Sequence, residues 1–258
     1  MSRFLIIPKI NELGESLKLA EEYGFGFEYN DFFIPDVLDD SGLTSELIAK
    51  YKSHRLPDRC TLHGAFFDVL IFSDDREIRR ISEKRIRQSL DIARKIGASG
   101  VVFHTNHNPA LTAKVYLSHW LDRNEAFWRD ILSEYPDLQI YMENMFDDSP
   151  RMLAALAERL SDTDNFGVCF DYAHAVIFGS DMNDWTDALA PYVKHMHIND
   201  NDLKNDLHLA VGEGQIDWKQ FKTAFDIKLS RADTVLIETS SIERQRRSAE
   251  FLRNMGII

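Results

Sequence analysis

Eight short β-rich runs recur along the 258 residues, and a helical pattern separates each run from the next. The runs are Phe4–Pro8, Gly26–Tyr29, Cys60–His63, Val101–His104, Gln139–Glu143, Gly167–Asp171, Tyr192–His197 and Thr234–Glu238. The clearest helical stretch, from about Arg76 to Gly97, sets Ile78, Ile81, Ile86, Leu90, Ala93 and Ile96 near helical spacing and stops on glycine. Others begin near Glu12, Thr44, Ala113, Pro150, Asn183, Trp218 and Ile242. This alternation predicts one α/β domain over residues 1–258, a (β/α)₈ TIM barrel, whose usual size is about 250 residues. An open doubly wound sheet also alternates, but the Gly-rich turn expected after its first strand is missing. No linker, low-complexity segment or compositional break divides the chain.

The runs share a second property, since most finish on a histidine or an acid. TLHG ends at His63, VVFH at His104, IYMEN at Glu143, VCFDYAH at Asp171 and His174, KHMHIND at His197 and VLIET at Glu238. Asp206 and His208 follow in DLHLAVGEG. Side chains alternate faces along a strand, so Thr61 shares a face with His63, Cys169 with Asp171, and His195 with His197. If His63, His104, Glu143, Asp171, His197 and Glu238 point inward, each is the last inward residue of its strand. They then ring the C-terminal mouth, where such barrels keep their chemistry. Glu143, Asp171, His197 and Glu238 come from four consecutive strands. Three carboxylates and one imidazole suit Mn²⁺, Zn²⁺, Co²⁺ or Mg²⁺, and carboxylates so crowded are costly without a cation among them. One divalent ion is the expectation.

Composition narrows the partners. A formal charge of −12 argues against a polyanion such as nucleic acid, because phosphate binding leans on Lys and Arg. The N-terminal MSRFLIIPKINE is too short an apolar run for a signal peptide, and no stretch approaches ~20 apolar residues, so the expected address is the cytoplasm, without a membrane partner. Cys60 and Cys169 lie inside strands without CxxC spacing and read as buried reduced thiols. His195 reads as a structural residue deeper in the barrel, and His54, His107 and His119 as packing or solvated residues of helices and loops. Glu28 ends its strand at the same mouth, where a substrate contact stays open. Phe32, Phe33, Phe66 and Phe67 either cap a pocket or pack on helices. Arg244, Arg246 and Arg247 open the last helix; a phosphate contact there is conceivable, but a solvated basic face is the preferred reading.

The segments YMEN, FDYAH, HMHINDND, HLAVGEGQIDW and LIET resemble the xylose isomerase-like barrel superfamily over essentially the whole chain, most specifically in H-x-x-x-GEG-x-ID. That superfamily holds sugar and sugar-phosphate isomerases and epimerases, and also the endonuclease IV group of DNA repair enzymes. The resemblance to the isomerases implies one divalent metal on Glu143, Asp171, His197 and Glu238. It also makes Glu143 and Glu238 the acid–base pair and His174 a substrate contact, with His63, His104 and His208 as further expected contacts. The implied reaction on a small sugar, keto-sugar or sugar phosphate is proton transfer through a metal-stabilised enediolate. The endonuclease IV pattern implies up to three zinc ions: one at His63, His104 and Glu143, a second at Glu143, Asp171, His197 and Glu238, a third at His174, Asp206 and His208. Whether Asp206 and His208 bind metal, substrate or each other stays open. Against a nuclease stand the net charge, the compact chain and the acidic loop NDFFIPDVLDDSG, which lacks Arg and Lys. Loss of turnover in a purely metal-binding barrel is opposed by the intact pair of glutamates. Such relatives are often dimers or tetramers, so a homo-oligomer is the matching expectation.

Overall fold

A computed structural model describes residues 2–179 and 181–258. Eight parallel strands, β1 (Phe4–Ile6), β2 (Gly26–Tyr29), β3 (Cys60–His63), β4 (Gly100–His104), β5 (Gln139–Glu143), β6 (Phe166–Asp171), β7 (Val193–Ile198) and β8 (Thr234–Ile237), pair in chain order. The cylinder closes where β1 pairs with β8, Leu5 opposite Leu236. The helices are α1 (Leu13–Tyr23), α2 (Pro35–Asp39), α3 (Ser41–Lys52), α4 (Arg76–Ile96), α5 (Lys114–Glu134), α6 (Arg151–Arg159), α7 (Tyr172–Phe178), α8 (Met182–Leu189), α9 (Trp218–Ile227) and α10 (Ile242–Asn254). The predicted (β/α)₈ barrel is the observed fold. None of these helices is long and apolar enough to cross a membrane.

Local chemistry sets the boundaries. β1 stops at Ile6, short of the predicted Pro8, which has no N–H to give a ladder. β8 stops at Ile237, making Glu238 the first residue of the following loop. Helix α4 starts on Asp75, whose carboxylate accepts the Glu77 N–H at 2.8 Å, and ends on Gly97 at φ +92°. Its Ile86, Leu90, Ala93 and Ile96 are buried against the barrel, while Ile78 and Ile81 stay 39% and 37% exposed. Two helices were not expected from the sequence. Pro35 supplies a preset first helical position for α2, and Asp171 caps α7 by accepting the His174 N–H at 2.7 Å.

The main apolar core lies between the barrel and its helices, with Trp120, Trp128 and Trp185 fully buried in it. Among the described residues, the apolar groups inside the barrel form two small clusters, Leu5, Ile7 and Leu236 in one and Val102, Tyr141 and Cys169 in the other. A polar seam fills the rest. Thr61 Oγ1 donates to Glu28 Oε2 at 2.7 Å, His195 Nε2 lies 3.1 Å from the same oxygen, and His195 Nδ1 lies 2.6 Å from Thr234 Oγ1. Strand alternation therefore delivers polar groups to the axis in two tiers, and the upper tier is the ring at the mouth.

Candidate metal centre

The six residues that alternation turns inward meet at the C-terminal end of the barrel. Glu143, Asp171, His197 and Glu238 each offer a ligand atom within 4.8 Å of the others, and His63, His104 and Glu143 form a second such group sharing Glu143. His197 Nδ1 is 3.3 Å from Glu143 Oε1 and 3.5 Å from Glu238 Oε2. His104 Nε2 approaches Glu143 Oε2 at 3.2 Å and His63 Nε2 at the same distance. His174 and His208 continue the chain: both rings reach Asp206 Oδ2, at 3.4 and 2.9 Å. A pocket of about 200 Å³ opens above Glu143 and Glu238, with His63, His104, His174 and His208 on its walls, while Asp171 and His197 lie beneath it. A larger cavity of about 470 Å³ lies between α1 and residues 55–58, at the opposite, N-terminal end of the strands. Barrel enzymes do not use that end.

The residues fit a divalent ion by the test of unmet valence. Glu143 Oε2, Asp171 Oδ2, His197 Nδ1 and Glu238 Oε2 are all buried and all lack a hydrogen-bond partner, one atom from each of the four. An orphaned buried polar atom costs roughly 1–3 kcal/mol, and these four belong to residues whose ligand atoms gather within 4.8 Å, with Glu143 Oε2 turned toward His104 and His63, so the set fits a cation. Charge points the same way. Burial pushes the Asp171 carboxyl up to about 7, helped by Glu143 and Glu238 and opposed by His174. Burial also opposes ionisation of Glu143, but His197 and His104 overcome it and hold that carboxyl well below its ordinary range. Glu238 is held at about 2 by His197 and His208 against its burial.

A family model described as xylose isomerase-like TIM barrel matches residues 17–255. The chain belongs to the xylose isomerase-like TIM barrel family. A protein of Mycobacterium ulcerans named probable endonuclease 4 is 27% identical over 219 residues, 80% of this chain and 81% of that protein. The TTHB071 protein of Thermus thermophilus, solved after soaking with ZnCl₂, superposes with TM-score 0.78 at 25% identity, covering 98% of both chains. A D-tagatose 3-epimerase-like protein superposes with TM-score 0.76 at 23% identity, over 98% of this chain and 96% of that one. The chain thus resembles an endonuclease-named relative in sequence and an epimerase-like protein in fold.

Three buried groups hold this family member's ring in place. Asn144 takes the Asp171 N–H on Oδ1 at 3.0 Å and donates to the Asp171 carbonyl at 2.9 Å, fixing the end of β6 against β5. Asp200 organises the loop carrying Asp206 and His208. Its carboxylate accepts the N–H groups of Asn201, Gly212 and Ile216 and, at 2.7 Å, the Trp218 indole. A Cβ at Gly214 would stand 2.2 Å from Asp200 Oδ1, which explains the second glycine of GEG on steric grounds. His208 itself sits at φ +46°, a strained conformation for a non-glycine residue that this anchored loop imposes.

The third group is Glu28, and here the sequence expectation changes. Glu28 is fully buried and does not line the pocket. Its Oε1 lies 3.1 Å from His197 Nε2, though poorly aligned for a hydrogen bond, while Oε2 engages Thr61 and His195. An acid behind one ring nitrogen orients the imidazole and leaves Nδ1 facing Glu143 and Glu238. Glu28→Gln is therefore expected to weaken divalent-metal affinity by about 10–100-fold, read by titration calorimetry with Mn²⁺. Unchanged affinity would remove this role.

Other expectations resolve individually. Phe33, Phe66 and Phe67 line the pocket, whereas Phe32 is fully buried in the main core. Arg246 pairs with Glu22 and Arg247 with Glu213 and Glu243, while Arg244 donates to the His208 carbonyl and to Ser240 Oγ. Cys60 and Cys169 are buried free thiols. His119 Nε2 lies 2.9 Å from the Phe72 carbonyl, and His54 sits beside Ser53. Asn30 and Met145 line the pocket without any motif that singled them out.

Asp147, behind the β5 end, was also not singled out. Burial pushes its carboxyl up to about 6, against the Thr105 hydroxyl and the Met145 N–H that donate to it. An acid raised in the folded state destabilises folding once ionised. Its cost is absent below the unfolded value of roughly 3.9, grows as pH rises toward about 6, and is constant above, on the order of 2–3 kcal/mol. Asp147→Asn cannot ionise, so between pH 4 and pH 7 it should gain stability relative to wild type by up to about that amount in urea unfolding. Parallel pH profiles for the two proteins would contradict the assignment.

Proposed function

We propose that the protein is a metal-dependent isomerase or epimerase of a small keto-sugar or related α-hydroxy carbonyl compound. The observation that carries this reading is the placement of Glu143 and Glu238. Both lie within 3.5 Å of His197 Nδ1 and both line the same pocket of about 200 Å³. Glu143, Asp171, His197 and Glu238 would hold a divalent ion, which would polarise a carbonyl and its neighbouring hydroxyl and so make the C–H of the hydroxyl-bearing carbon acidic. One glutamate takes that proton, and the enediolate is then reprotonated either by that same glutamate at the neighbouring carbon or, from the other side, by the second glutamate after it has taken up a proton from water. Return to the same carbon inverts it; return to the neighbouring carbon moves the carbonyl. The neighbouring histidines hold both carboxyls below their ordinary range, so either can start as the base.

His174 and His208 line the pocket, with their Nδ1 atoms on the Asn144 and Glu238 carbonyls and their Nε2 atoms on Asp206 Oδ2, so each would reach a substrate oxygen by exchanging the Asp206 carboxylate for it. Burial opposes their charged forms, but Asp171 and Asp206 raise His174, and Glu238 and Asp206 hold His208 at about 10. The acids that raise these rings also hold them, with both Nε2 atoms turned onto Asp206 Oδ2 in the pocket wall. Phe33, Phe66 and Phe67 cover the pocket and exclude water.

A second reading, a zinc-dependent phosphodiesterase acting at abasic DNA, is favoured by one specific observation: all nine residues of the three-zinc pattern converge here, and an endonuclease-named relative aligns over most of the chain. It is opposed by the net charge of −12 and by an acidic segment at 30–42, where a DNA-facing loop needs cations. The test is a panel of free and phosphorylated ketoses incubated in deuterated water with Mn²⁺, Co²⁺, Zn²⁺ or Mg²⁺. Loss of a carbon-bound hydrogen signal for at least one sugar supports the isomerase reading, and no exchange across the panel contradicts it.

A further inference from the structure

The ring at the mouth has a neutral member on β2. Glu28 is the inward residue of the lower tier there, so strand alternation turns Asn30, the first residue past Tyr29, to the same side one tier higher. The register of β2 against β3 agrees. Glu28 pairs with Thr61 and Tyr29 with Leu62, and one step further sets Asn30 beside His63. Asn30 lines the pocket at that point. In the closed strand order β2 lies diametrically opposite β6, so this amide stands across the mouth from the strands that carry Glu143, Asp171 and His197.

Its chemistry differs from that of the rest of the wall. Phe33, Phe66, Phe67 and Met145 are apolar, and the other lining residues besides Asn30 all belong to the nine that could hold metal. Among the described residues, Asn30 is thus the one polar side chain of the pocket outside that set. An amide neither gains nor loses a proton at neutral pH; it offers a hydrogen-bond acceptor and a donor side by side. Here the acceptor is idle, since Asn30 Oδ1 is buried without a hydrogen-bond partner. The neighbouring His63 does not serve it: its Nδ1 lies 3.0 Å from the Gly64 carbonyl and its Nε2 3.2 Å from His104 Nε2. Buried polar atoms are paired with few exceptions, and the space open to this amide is the pocket. A half-turn about the Cβ–Cγ bond exchanges Oδ1 for Nδ2 and breaks no hydrogen bond of Oδ1, so either atom can be brought to a ligand.

We propose that Asn30 is a specificity-determining residue whose amide binds one hydroxyl of the substrate, on a carbon outside the reacting pair; the inference rests on the isomerase reading given above. The carbonyl oxygen and its neighbouring hydroxyl gather over Glu143 and Glu238. The sugar beyond them runs toward β2 and β3, where the three phenylalanines give its hydroxyls no partner and Asn30 gives one. That single bond fixes the far end of the substrate and so decides which carbon lies over the glutamates.

The test measures kcat/KM for hydrogen exchange into deuterated water by NMR, on the metal-loaded full chain. Its substrates are a ketose that exchanges and the analogues of it that each lack one hydroxyl outside the reacting pair. In the wild type one analogue is expected to lose at least roughly tenfold, because the amide is then left unpaired. Asn30→Ala and Asn30→Leu, with metal content checked, should lose a similar factor on the parent ketose and show no further loss on that analogue. General distortion of the pocket would instead slow every substrate alike. A wild type in which no single hydroxyl is worth more than about twofold overturns the assignment. So do variants slowed by one common factor on all substrates, or variants as fast as wild type on the parent ketose. In each of those cases exchange persists and the reaction stands without this role. No exchange with any ketose overturns the isomerase reading itself, and the role of Asn30 with it.

Discussion

Replacing Glu143 or Glu238 by glutamine is expected to slow proton exchange at the substrate carbon by roughly 10²–10⁴-fold in protein that still holds its metal. Glutamine keeps the shape of the side chain and one oxygen able to ligate, but it cannot accept the proton. The loss should fall on kcat with little change in KM, because the group acts in the transition state rather than in ground-state binding. Metal content measured on the same samples separates loss of the base from loss of the ion. The distinction matters most at Glu143, which is only 1% exposed and faces His63, His104, His174 and His197 together. The double variant should be little worse than either single one, since the two carboxylates work as a relay. Near-normal exchange in either single variant with metal retained would remove that glutamate from the chemistry.

Stripping the metal with a chelator should abolish activity and lower the unfolding temperature by about 5–10 °C, with Mn²⁺, Co²⁺ or Zn²⁺ restoring both. The size follows from linkage. An ion bound only by the folded state at a hundredfold excess over its Kd contributes about 2.7 kcal/mol, and each kcal/mol moves the midpoint of a chain this size by about 2–4 °C. The structural cause is the orphaned set, Glu143 Oε2, Asp171 Oδ2, His197 Nδ1 and Glu238 Oε2, which no protein group satisfies. Calorimetric scans with and without chelator measure the shift. Activity and midpoint that both survive complete metal removal would contradict the mechanism.

The barrel was legible because its signal is local: a strand of four to six residues with a period of two carries its own evidence. His63, His104, Glu143, Asp171 and His197 all fall at or next to strand ends, and counting alternate residues back from them correctly placed Thr61, Cys169 and His195 on the inner face. The role of Glu28 stayed open because its partners come from across the barrel. His195 and His197 are far from it in sequence, and nothing near Glu28 announces them. Helices α2 and α7 were missed because five and seven residues are too few to display a period of 3.6. The isoleucine spacing of α4 showed an apolar stripe but not that Ile78 and Ile81, in its first two turns, stay exposed. Phe32 and Phe33 are adjacent, yet one is core and the other lines the pocket, a difference set by loop geometry that composition does not encode.

The central claim is that this site moves a proton on carbon, and two assays on a single metal-loaded preparation test it most directly. One follows hydrogen exchange at the carbonyl-adjacent carbon of a responsive keto-sugar in deuterated water. The other incubates the same protein with a duplex containing one abasic site and looks for strand cleavage. The predicted result is exchange with at least one sugar and no cleavage, with exchange lost in Glu143→Gln and Glu238→Gln. Cleavage of the abasic strand without exchange on any sugar would contradict that claim and assign the nine converging residues to phosphodiester hydrolysis.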